Sequence, residues 1–323
     1  MYMNTLCVFL LLATASASEF WREFSRFVQY HKRIYPDHDE FYRRYHVFAD
    51  NMKFIHSHNE HPETNTTLGV NNFADLTREE FGDFVSNGLQ TFPRQNICKP
   101  FNSKTSTVDT SVDWRTNNAV TPVKDQGQCG SCWSFSATGA MEGAWAIANN
   151  ELLSFSEEKL IDCSSDYGNH GCNGGIMESA FHYSVDNGIC SESEYPYTAK
   201  QGQCQQCENV ASISGCVDVT PNNQQHLAEA VSIGPVSVAI QADTRVFQLY
   251  KSGVITSSDC GTNLDHGVLI VGYGTENNTP YWLVKNSWSA DWGDAGYVKI
   301  EKSDSTNDKG ICGIAMQPSY PVV

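Results

Sequence analysis

The sequence predicts an α+β protein, because helical patterns come first along its larger part and strand patterns follow. Helix and loop signals dominate up to about residue 200. Beyond Gly215 the chain changes to short runs rich in β-branched and aromatic residues, which are typical of strands. These runs are residues 235–240, 267–271, 281–284 and 297–300. Helices and strands that are segregated in this way favour two lobes with a site between them.

The distribution of charge divides the 323 residues into two parts. Residues 19–107 carry 11 Lys and Arg against 12 Asp and Glu, whereas residues 108–323 carry 10 against 25. The net charge of the whole chain is −16, and a strongly acidic protein is repelled by nucleic acid. We therefore expect two separable parts and no nucleic-acid partner.

The first eighteen residues are typical of a secretory signal peptide. The apolar run at residues 6–13 is too short to span a membrane, and residues 15–17 are small enough for cleavage. No later segment is long and apolar enough to cross a bilayer. Entry into the secretory pathway allows the twelve cysteines to form disulfides, and sequons at Asn65 and Asn277 are candidate glycosylation sites.

A long helix is predicted between residues 40 and 59, and one of its faces is unusual. Six residues recur there every three or four positions and therefore share a stripe. They are Glu40, Arg44, Phe48, Asn51, Ile55 and Asn59. Glu40 and Arg44 form an i, i+4 pair in the favourable order. Four of the six are polar, which a generic amphipathic helix would not place along its core-facing stripe.

Residues 126–135 read Gln-Gly-Gln-Cys-Gly-Ser-Cys-Trp-Ser-Phe, and the small and apolar residues after them predict a buried helix. Cys132 then lies in the first turn, where the helix dipole favours a thiolate. A redox pair with Cys129 is a second interpretation, but no short βαβ unit surrounds the two cysteines. A merely structural buried cysteine is a third, and the Gln- and Gly-rich surroundings argue against it. Cys132 is therefore the candidate nucleophile.

His266 and Asn286, far downstream of Cys132, supply a base and a group that orients it. The predicted strands at 268–271 and 281–284 are separated by turn residues 276–278 and therefore predict an antiparallel hairpin. A turn centred on residue 276 would set His266 opposite Asn286. The Asn side chain can accept the ring proton and fix the tautomer, which leaves the other ring nitrogen for the thiol.

Together these features resemble the papain-like cysteine proteases, and the cathepsin L-like enzymes in particular. The Cys-Gly-Ser-Cys-Trp signature is complete at Cys132, and the His and Asn expected about 130–150 residues downstream correspond to His266 and Asn286. The polar stripe resembles the Glu-Arg-Phe-Asn-Ile-Asn motif of cathepsin L-type propeptides, and residues 69–75 match their Gly-x-Asn-x-Phe-x-Asp motif. The resemblance implies a papain-like two-lobe fold preceded by a helical propeptide.

The resemblance also implies three segments: a signal peptide (1–18), an inhibitory propeptide (19–107) and a peptidase domain (108–323). The propeptide would run through the active-site cleft opposite to the substrate direction. Residues 102–110, rich in Ser and Thr, are typical of an exposed linker suited to cleavage. The implied protein is a cysteine endopeptidase that is made as a zymogen, is activated by acid and needs no metal or organic cofactor.

Further site residues follow from the resemblance. Gln126 is the candidate side-chain donor to the oxyanion, and Trp288 would shield the His–Asn hydrogen bond from water. Gly174 and Gly175 would let a peptide substrate approach the backbone, although a plain turn is the alternative for them. The main side-chain pocket would have Gln317 at its base and Ile176, Met177, Ala239 and Leu264 as its walls.

The family pattern implies three disulfides: Cys129–Cys172, Cys163–Cys204 and Cys260–Cys312. Cys190, Cys207 and Cys216 then remain in the peptidase segment once Cys132 is set aside. An odd number cannot pair among themselves, so we expect a free thiol or a bond to a cysteine outside the segment. Cys204 and Cys207 could form half a zinc site, but no second half at ligand spacing follows.

The implied partners are peptide and protein substrates, the chain's own propeptide and cystatin-like inhibitors, and we expect a monomer. Its expected compartment is a lysosome or vacuole, or the extracellular space. Two other classes remain open: a binding or storage protein on an inactive protease fold, and an inhibitor protein in which the propeptide acts. We expect propeptide release near pH 4–5, with Asp75 as the first sensor and the Glu40–Arg44 pair as the second.

Overall fold

The computed structural model describes residues 19–62, 64–89, 97–103, 108–256 and 259–323. The predicted signal peptide lies outside the described residues. The N-terminal part contains α1 (Trp21–Tyr30), α2 (His38–Asn59), β1 (Thr66–Leu68), α3 (Arg78–Ser86) and β2 (Lys99–Pro100). In the rest, the helices are α4 (Cys132–Asn149), α5 (Glu157–Cys163), α6 (Met177–Asn187), α7 (Gln224–Val231) and α8 (Arg245–Gln248). The strands are β3 (Val112–Asp113), β4 (Gly215–Asp218), β5 (Val236–Ile240), β6 (Tyr250–Ile255), β7 (His266–Glu276), β8 (Thr279–Lys285), β9 (Tyr297–Glu301) and β10 (Ser319–Val322).

The α+β prediction is confirmed. Helices α4, α5 and α6 precede residue 200, and the four predicted strands correspond to β5, β7, β8 and β9. Antiparallel pairing through β5–β7–β8–β9 forms the centre of a mixed sheet. Helix α4 packs against β7, so the start of α4 and the start of β7 lie at the junction of the two lobes. One apolar cluster there contains Trp282, Trp288 and Trp292, and another contains Trp133 and Phe181.

The polar stripe of α2 holds the chain that follows it. Asn51 is buried, and its Nδ2 donates to the carbonyls of Ala74 at 2.9 Å and Leu76 at 3.0 Å. Asn59 makes a reciprocal pair with Leu68, donating to its carbonyl at 2.9 Å and accepting from its N–H at 2.8 Å. These bonds satisfy backbone groups of the loop and strand after the helix, which explains why the stripe is polar.

A cluster of charges joins α2 to α3. The Glu40 carboxylate accepts two bonds of 2.7 Å from Arg43 and one of 2.6 Å from Arg44. Both arginines also donate to Glu80, at 2.9 and 2.7 Å. The hydrogen bond from Arg43, aided by Arg44 and opposed by partial burial, lowers the pKa of Glu40 to about 2. Glu40 therefore stays ionised at pH 4–5 and is a poor candidate for the acid sensor.

Five disulfides connect the described residues. Three are those that the family pattern implies: Cys129–Cys172, Cys163–Cys204 and Cys260–Cys312. Cys190 pairs with Cys207, and Cys216 pairs with Cys98. Cys132 is the one cysteine in the described part of the chain that is free. The odd cysteine of the peptidase segment is thus bonded to a residue of the N-terminal part.

Replacing Glu40 by Gln is expected to destabilise the zymogen in a pH-dependent way. A carboxylate whose pKa is lower in the folded state stabilises the fold above its unfolded pKa, and this contribution disappears as pH falls through the folded pKa. Glu40→Gln should therefore lower the free energy of unfolding by about 1 kcal/mol at pH 6. The difference should shrink steadily below about pH 4.5.

Thermal unfolding of the non-cleaving Cys132→Ala zymogen between pH 6 and 3 measures this effect. The control is Glu79→Gln, which changes an exposed carboxylate of the same helix turn as Glu80 and should shift stability by less than about 0.5 kcal/mol. A Glu40→Gln difference that stays constant with pH contradicts the assignment.

Candidate active site

Cys132 is the first residue of α4, and almost every side chain in the first three turns of that helix is buried. The turn before it is fixed by backbone bonds, since the Ser131 N–H donates to the Cys129 carbonyl at 2.8 Å. The Cys129–Cys172 disulfide anchors the same turn to the loop before α6. The thiol is therefore held at a rigid helix N-terminus, as the sequence predicts.

His266 and Asn286 meet, but not in the predicted register. The hairpin turn is the pair Asn277 and Asn278, both with positive φ (48° and 67°), and Glu276 faces Thr279. Near the open end Leu269 faces Lys285, so continuing the register sets Asn286 opposite Val268. The prediction of a turn centred on residue 276 was wrong, because the turn lies between Asn277 and Asn278. A bulge between Ile270 and Gly272 takes up part of the difference, so the pairing near the open end is shifted by two. Both residues stay on one face of the hairpin, and Asn286 reaches His266 diagonally.

The contact between the two side chains is a hydrogen bond of 2.8 Å between His266 Nε2 and Asn286 Oδ1. Asn286 Oδ1 can only accept, so Nε2 carries a proton. The other ring nitrogen, Nδ1, is thereby left as the atom that can exchange a proton with a thiol. Trp288 stacks on the His266 ring with centroids 4.5 Å apart and is itself buried. The indole of Trp288 therefore lies against the ring that makes the hydrogen bond.

The thiol and the imidazole are both kept neutral in this structure by burial. Cys132 Sγ accepts a hydrogen bond of 3.2 Å from the Gly267 N–H, yet burial outweighs that bond and raises the thiol pKa to about 12. Burial likewise lowers the pKa of His266 to about 4. The helix dipole is expected to favour a thiolate at Cys132, and in this covered state burial opposes that effect.

The N-terminal part provides the cover. A Cβ built on Gly88 would lie 2.5 Å from Cys132 Sγ, so the Gly88 backbone lies directly over the thiol of Cys132. Leu89 next to it forms a parallel β-bridge with Gly175. On the other side, Phe73, Phe81 and Phe84 pack against Trp288, with ring centroids 5.2, 5.5 and 5.8 Å away.

Gln126 is buried beside the turn that precedes Cys132, and both the oxygen and the nitrogen of its side-chain amide are hydrogen-bonded. Its Oε1 accepts from Ser287 Oγ at 2.7 Å, and its Nε2 donates to the Cys129 carbonyl at 3.0 Å. An amide nitrogen has two hydrogens, so one donor of Gln126 remains available. Ser287, which orients this amide, was not predicted; its position between Asn286 and Trp288 was the available signal.

The predicted pocket residues are partly brought together. Met177, Ala239 and Leu264 are buried in one apolar cluster, and Met316 packs against it. Ile176 is half-buried at the start of α6, and Gln317 is half-buried after Met316. Gly174 has a positive φ of 97°. A Cβ on Gly175 would lie 2.7 Å from the Trp133 ring, so a side chain is excluded there. Met316 was missed because an isolated Met carries no sequence signal.

A buried cluster of charges supports the site from behind and was also not predicted. Lys124 Nζ binds Glu142 at 3.0 Å and Glu157 at 2.7 Å, although both carboxylates are almost fully buried. Lys285 Nζ donates to Thr121 Oγ1 at 2.9 Å. Burial opposes the charge on Glu142, but Lys124 and Lys285 still hold its pKa below the usual value. The cluster fixes the chain just before Gln126 and just before Asn286.

Sequence comparison assigns both parts of the chain. The sequence model of the papain family cysteine proteases matches residues 108–322, and that of the cathepsin propeptide inhibitor domain (I29) matches residues 24–81. The chain belongs to the papain family of cysteine proteases.

Relatives and solved structures agree with the family assignment. The chain is 47% identical over 320 residues to Digestive cysteine proteinase 3 of Homarus americanus, with 97% of each chain covered. It is 45% identical to the senescence-specific cysteine protease SAG39 of Oryza sativa subsp. japonica, over 92% of this chain and 88% of that protein. Digestive procathepsin L 3 of Tenebrio molitor larval midgut superposes with a TM-score of 0.87 at 44% identity, covering 94% of this chain and 99% of that chain.

The protein is thus a papain-like thiol protease with a cathepsin propeptide inhibitor domain, and its fold is that of a papain-family proform. Among the described residues there is no helix long and apolar enough to cross a membrane. Within the same residues no group of three or more His, Cys, Asp or Glu side chains could hold a metal ion.

Gly88→Ala is expected to weaken propeptide inhibition by about tenfold or more, because its Cβ would collide with Cys132 Sγ. The matched control is Gly82→Ala in α3, where an added Cβ meets nothing within 4 Å. That change should leave inhibition unchanged or strengthen it, since Ala favours helix. The measurement is the activation rate of each zymogen at fixed acid pH. Equal activation rates for the two variants would contradict the position of Gly88 over the thiol of Cys132.

Proposed function

We propose that Cys132, His266 and Asn286 form the catalytic centre of this endopeptidase. The observation that carries the proposal is the 2.8 Å bond between His266 Nε2 and Asn286 Oδ1, which reserves Nδ1 for the thiol of Cys132. An inactive protease fold that serves in binding or storage would have no need for all three residues, nor for their shared burial. An inhibitor protein whose peptidase part is idle would have no need for them either.

The reaction is acyl transfer in two stages. Once the cleft is open to water, the proton of Cys132 moves to His266 Nδ1, and the thiolate attacks the carbonyl carbon of the scissile peptide. His266 then gives that proton to the departing amine, which leaves an acyl-enzyme. In the second stage His266 accepts a proton from water as the water attacks the thioester. That proton then passes to the sulfur of Cys132, so the acid product is released and the free thiol is restored.

The oxyanion of each tetrahedral intermediate is assigned two donors, the backbone N–H of Cys132 and the side chain of Gln126. The bond from Ser287 Oγ supports this assignment, because it holds the Gln126 amide in one orientation. Such a preorganised donor stabilises charge that develops only in the transition state, and loss of one donor costs about 10²–10³ in rate.

The substrate is assigned to the cleft that the propeptide now fills. Gly174 and Gly175 would bind its backbone, and the parallel Leu89–Gly175 bridge supports an inhibitory chain that runs opposite to a substrate. The clustering of Met177, Ala239 and Leu264 supports an apolar pocket for the second residue before the cut, with Ile176 as a further wall. Gln317, at the base, offers hydrogen bonds but no full charge.

Acid activation is part of the proposal, with residues 1–18 removed as a signal peptide and 19–107 acting as the inhibitory propeptide. Asp75 is the proposed sensor. It is buried and accepts bonds from Arg33 at 3.2 Å and from the Tyr35 hydroxyl at 2.8 Å. The charge-assisted bond between the Asp75 carboxylate and Arg33 fixes the loop that packs on Trp288.

We further propose that the enzyme acts as a monomer in a lysosome-like or vacuolar compartment or outside the cell. A route through the secretory pathway is supported by a relative named as a digestive cysteine proteinase. Asn65 and Asn277 are both exposed, which is compatible with glycosylation. Cystatin-like proteins would act as inhibitors by occupying the same cleft as the propeptide.

The acid-activated enzyme is expected to cleave peptides with Leu, Val or Phe as the second residue before the cut and to reject Arg there by at least about tenfold, because burying an unpaired charge is costly. A peptide library analysed by mass spectrometry measures the preference. Cys132→Ala, treated with an active aliquot to remove its propeptide, is the control and should give no turnover of its own. Hydrolysis by Cys132→Ala rules out the nucleophile, and preference for Arg rules out the pocket.

A further inference from the structure

One disulfide crosses the boundary between the propeptide and the peptidase domain. Cys98 and Cys216 are bonded, although they lie on opposite sides of residue 108 and are separated by 118 positions. Neither family model covers Cys98, because the propeptide model ends at residue 81 and the peptidase model begins at 108. The family assignment therefore leaves open to which part the Cys98 segment, residues 97–103, belongs.

The backbone of the Cys98 segment is built into the sheet of the peptidase domain. Strand β2 pairs in parallel with β4, Lys99 with Val217 and Pro100 with Asp218. The Phe101 N–H continues this pairing with a bond of 2.9 Å to the Asp218 carbonyl. Strand β2 thereby covers an edge of β4 that would otherwise present unpaired backbone groups.

Side chains of the Cys98 segment also pack on the peptidase domain. The Phe101 ring lies 5.4 Å from the His226 ring and 6.5 Å from the Tyr320 ring. Ser103 Oγ lies 2.9 and 3.0 Å from the two carboxylate oxygens of Glu229. Apolar contact, hydrogen bonding and a covalent bond all tie this segment to residues beyond 108.

The inhibitory residues are held in a different way. Strand β1 pairs with β6, and Phe73, Phe81 and Gly88 lie on Trp288 and Cys132 through contacts that can dissociate. In a mechanism that opens the cleft, these contacts must be lost. No such requirement applies to the Cys98 segment, which packs on β4 and α7 rather than on the catalytic residues.

We propose that Cys98–Cys216 makes the Cys98 segment a permanent part of the mature enzyme, so that the cut which frees the active site lies N-terminal to Cys98. A cut near residue 108 alone leaves the inhibitory residues covalently attached. This inference rests on the proposed zymogen function. It places the boundary between inhibitor and enzyme before Cys98 instead of at residue 107, so the residues from Cys98 to 107 stay with the enzyme.

The tether has a direct effect on inhibition. Cys98 is nine residues beyond Leu89, so even an extended chain keeps Leu89 within about 30 Å of Cys98. A short tether of this kind gives an effective concentration of about the millimolar range. Dilution then cannot release the inhibitor after a single cut near residue 108. Release requires hydrolysis of a peptide bond before Cys98 or reduction of the disulfide by two thiols, which are oxidised as Cys98 and Cys216 are reduced.

The first test maps the native enzyme. Zymogen is activated by acid to constant peptidase activity, alkylated with iodoacetamide and digested without reduction for mass spectrometry. The expected result is a peptide in which Cys98 is linked to Cys216 in near-stoichiometric yield. A mature enzyme that has lost Cys98 and carries an alkylated Cys216 overturns the proposal.

The second test separates the tether from the activity. In a zymogen whose residues 104–107 are replaced by the recognition sequence of a site-specific protease, that protease makes the single cut at neutral pH. The product should migrate as one species without reductant and should have less than about a tenth of the activity of the same cut protein carrying Cys98→Ser and Cys216→Ser.

The matched control carries Cys190→Ser and Cys207→Ser, which removes a disulfide inside the peptidase domain; it should behave as the parent. Release of the propeptide from the cut parent without reductant contradicts the proposal. Absence of peptidase activity from every variant would instead count against the proposed function, while the migration of the cut parent still reports the tether.

Discussion

Exclusion of water from Cys132 and His266 is the constraint on which the proform depends. In the proposed catalytic centre these two side chains form an ion pair once the cleft opens, whereas here burial raises the thiol pKa to about 12 and lowers that of the imidazole to about 4. The chain at Gly88 causes this burial by lying over the sulfur. Inhibition is therefore electrostatic as well as steric, because a covered thiol is both unreachable and protonated.

Trp288 links this constraint to the packing of the propeptide. On one face it stacks on His266, and on its other sides it receives the rings of Phe73, Phe81 and Phe84. A single apolar surface thus shields the His–Asn bond and docks the inhibitor. Behind it, Lys124 and Lys285 fix the chain before Gln126 and Asn286 through contacts with Glu142 and Thr121, which belong to the peptidase part.

The sequence was sufficient where one local pattern decides the structure. The small residues after Cys132 predicted helix α4, and β-branched runs predicted β5, β7, β8 and β9. It was insufficient where distant segments compete for the same partner. The turn at Asn277 and Asn278 and the bulge between Ile270 and Gly272 together shifted the hairpin register by two. The pairing of Cys98 with Cys216 depends on β2 lying beside β4, and the role of Ser287 depends on the position of Gln126.

The most direct test of this account is the alkylation rate of Cys132 by iodoacetamide between pH 6 and 8, in the intact zymogen and in the mature enzyme. Cys132 is the free cysteine of the described residues, and labelling is quantified on the peptide that carries it. The account predicts a zymogen rate at least about 10²-fold lower that rises with pH throughout, because the covered thiol is protonated, and a fast rate in the mature enzyme that hardly changes with pH. Equal rates with the same pH profile in both forms would contradict it.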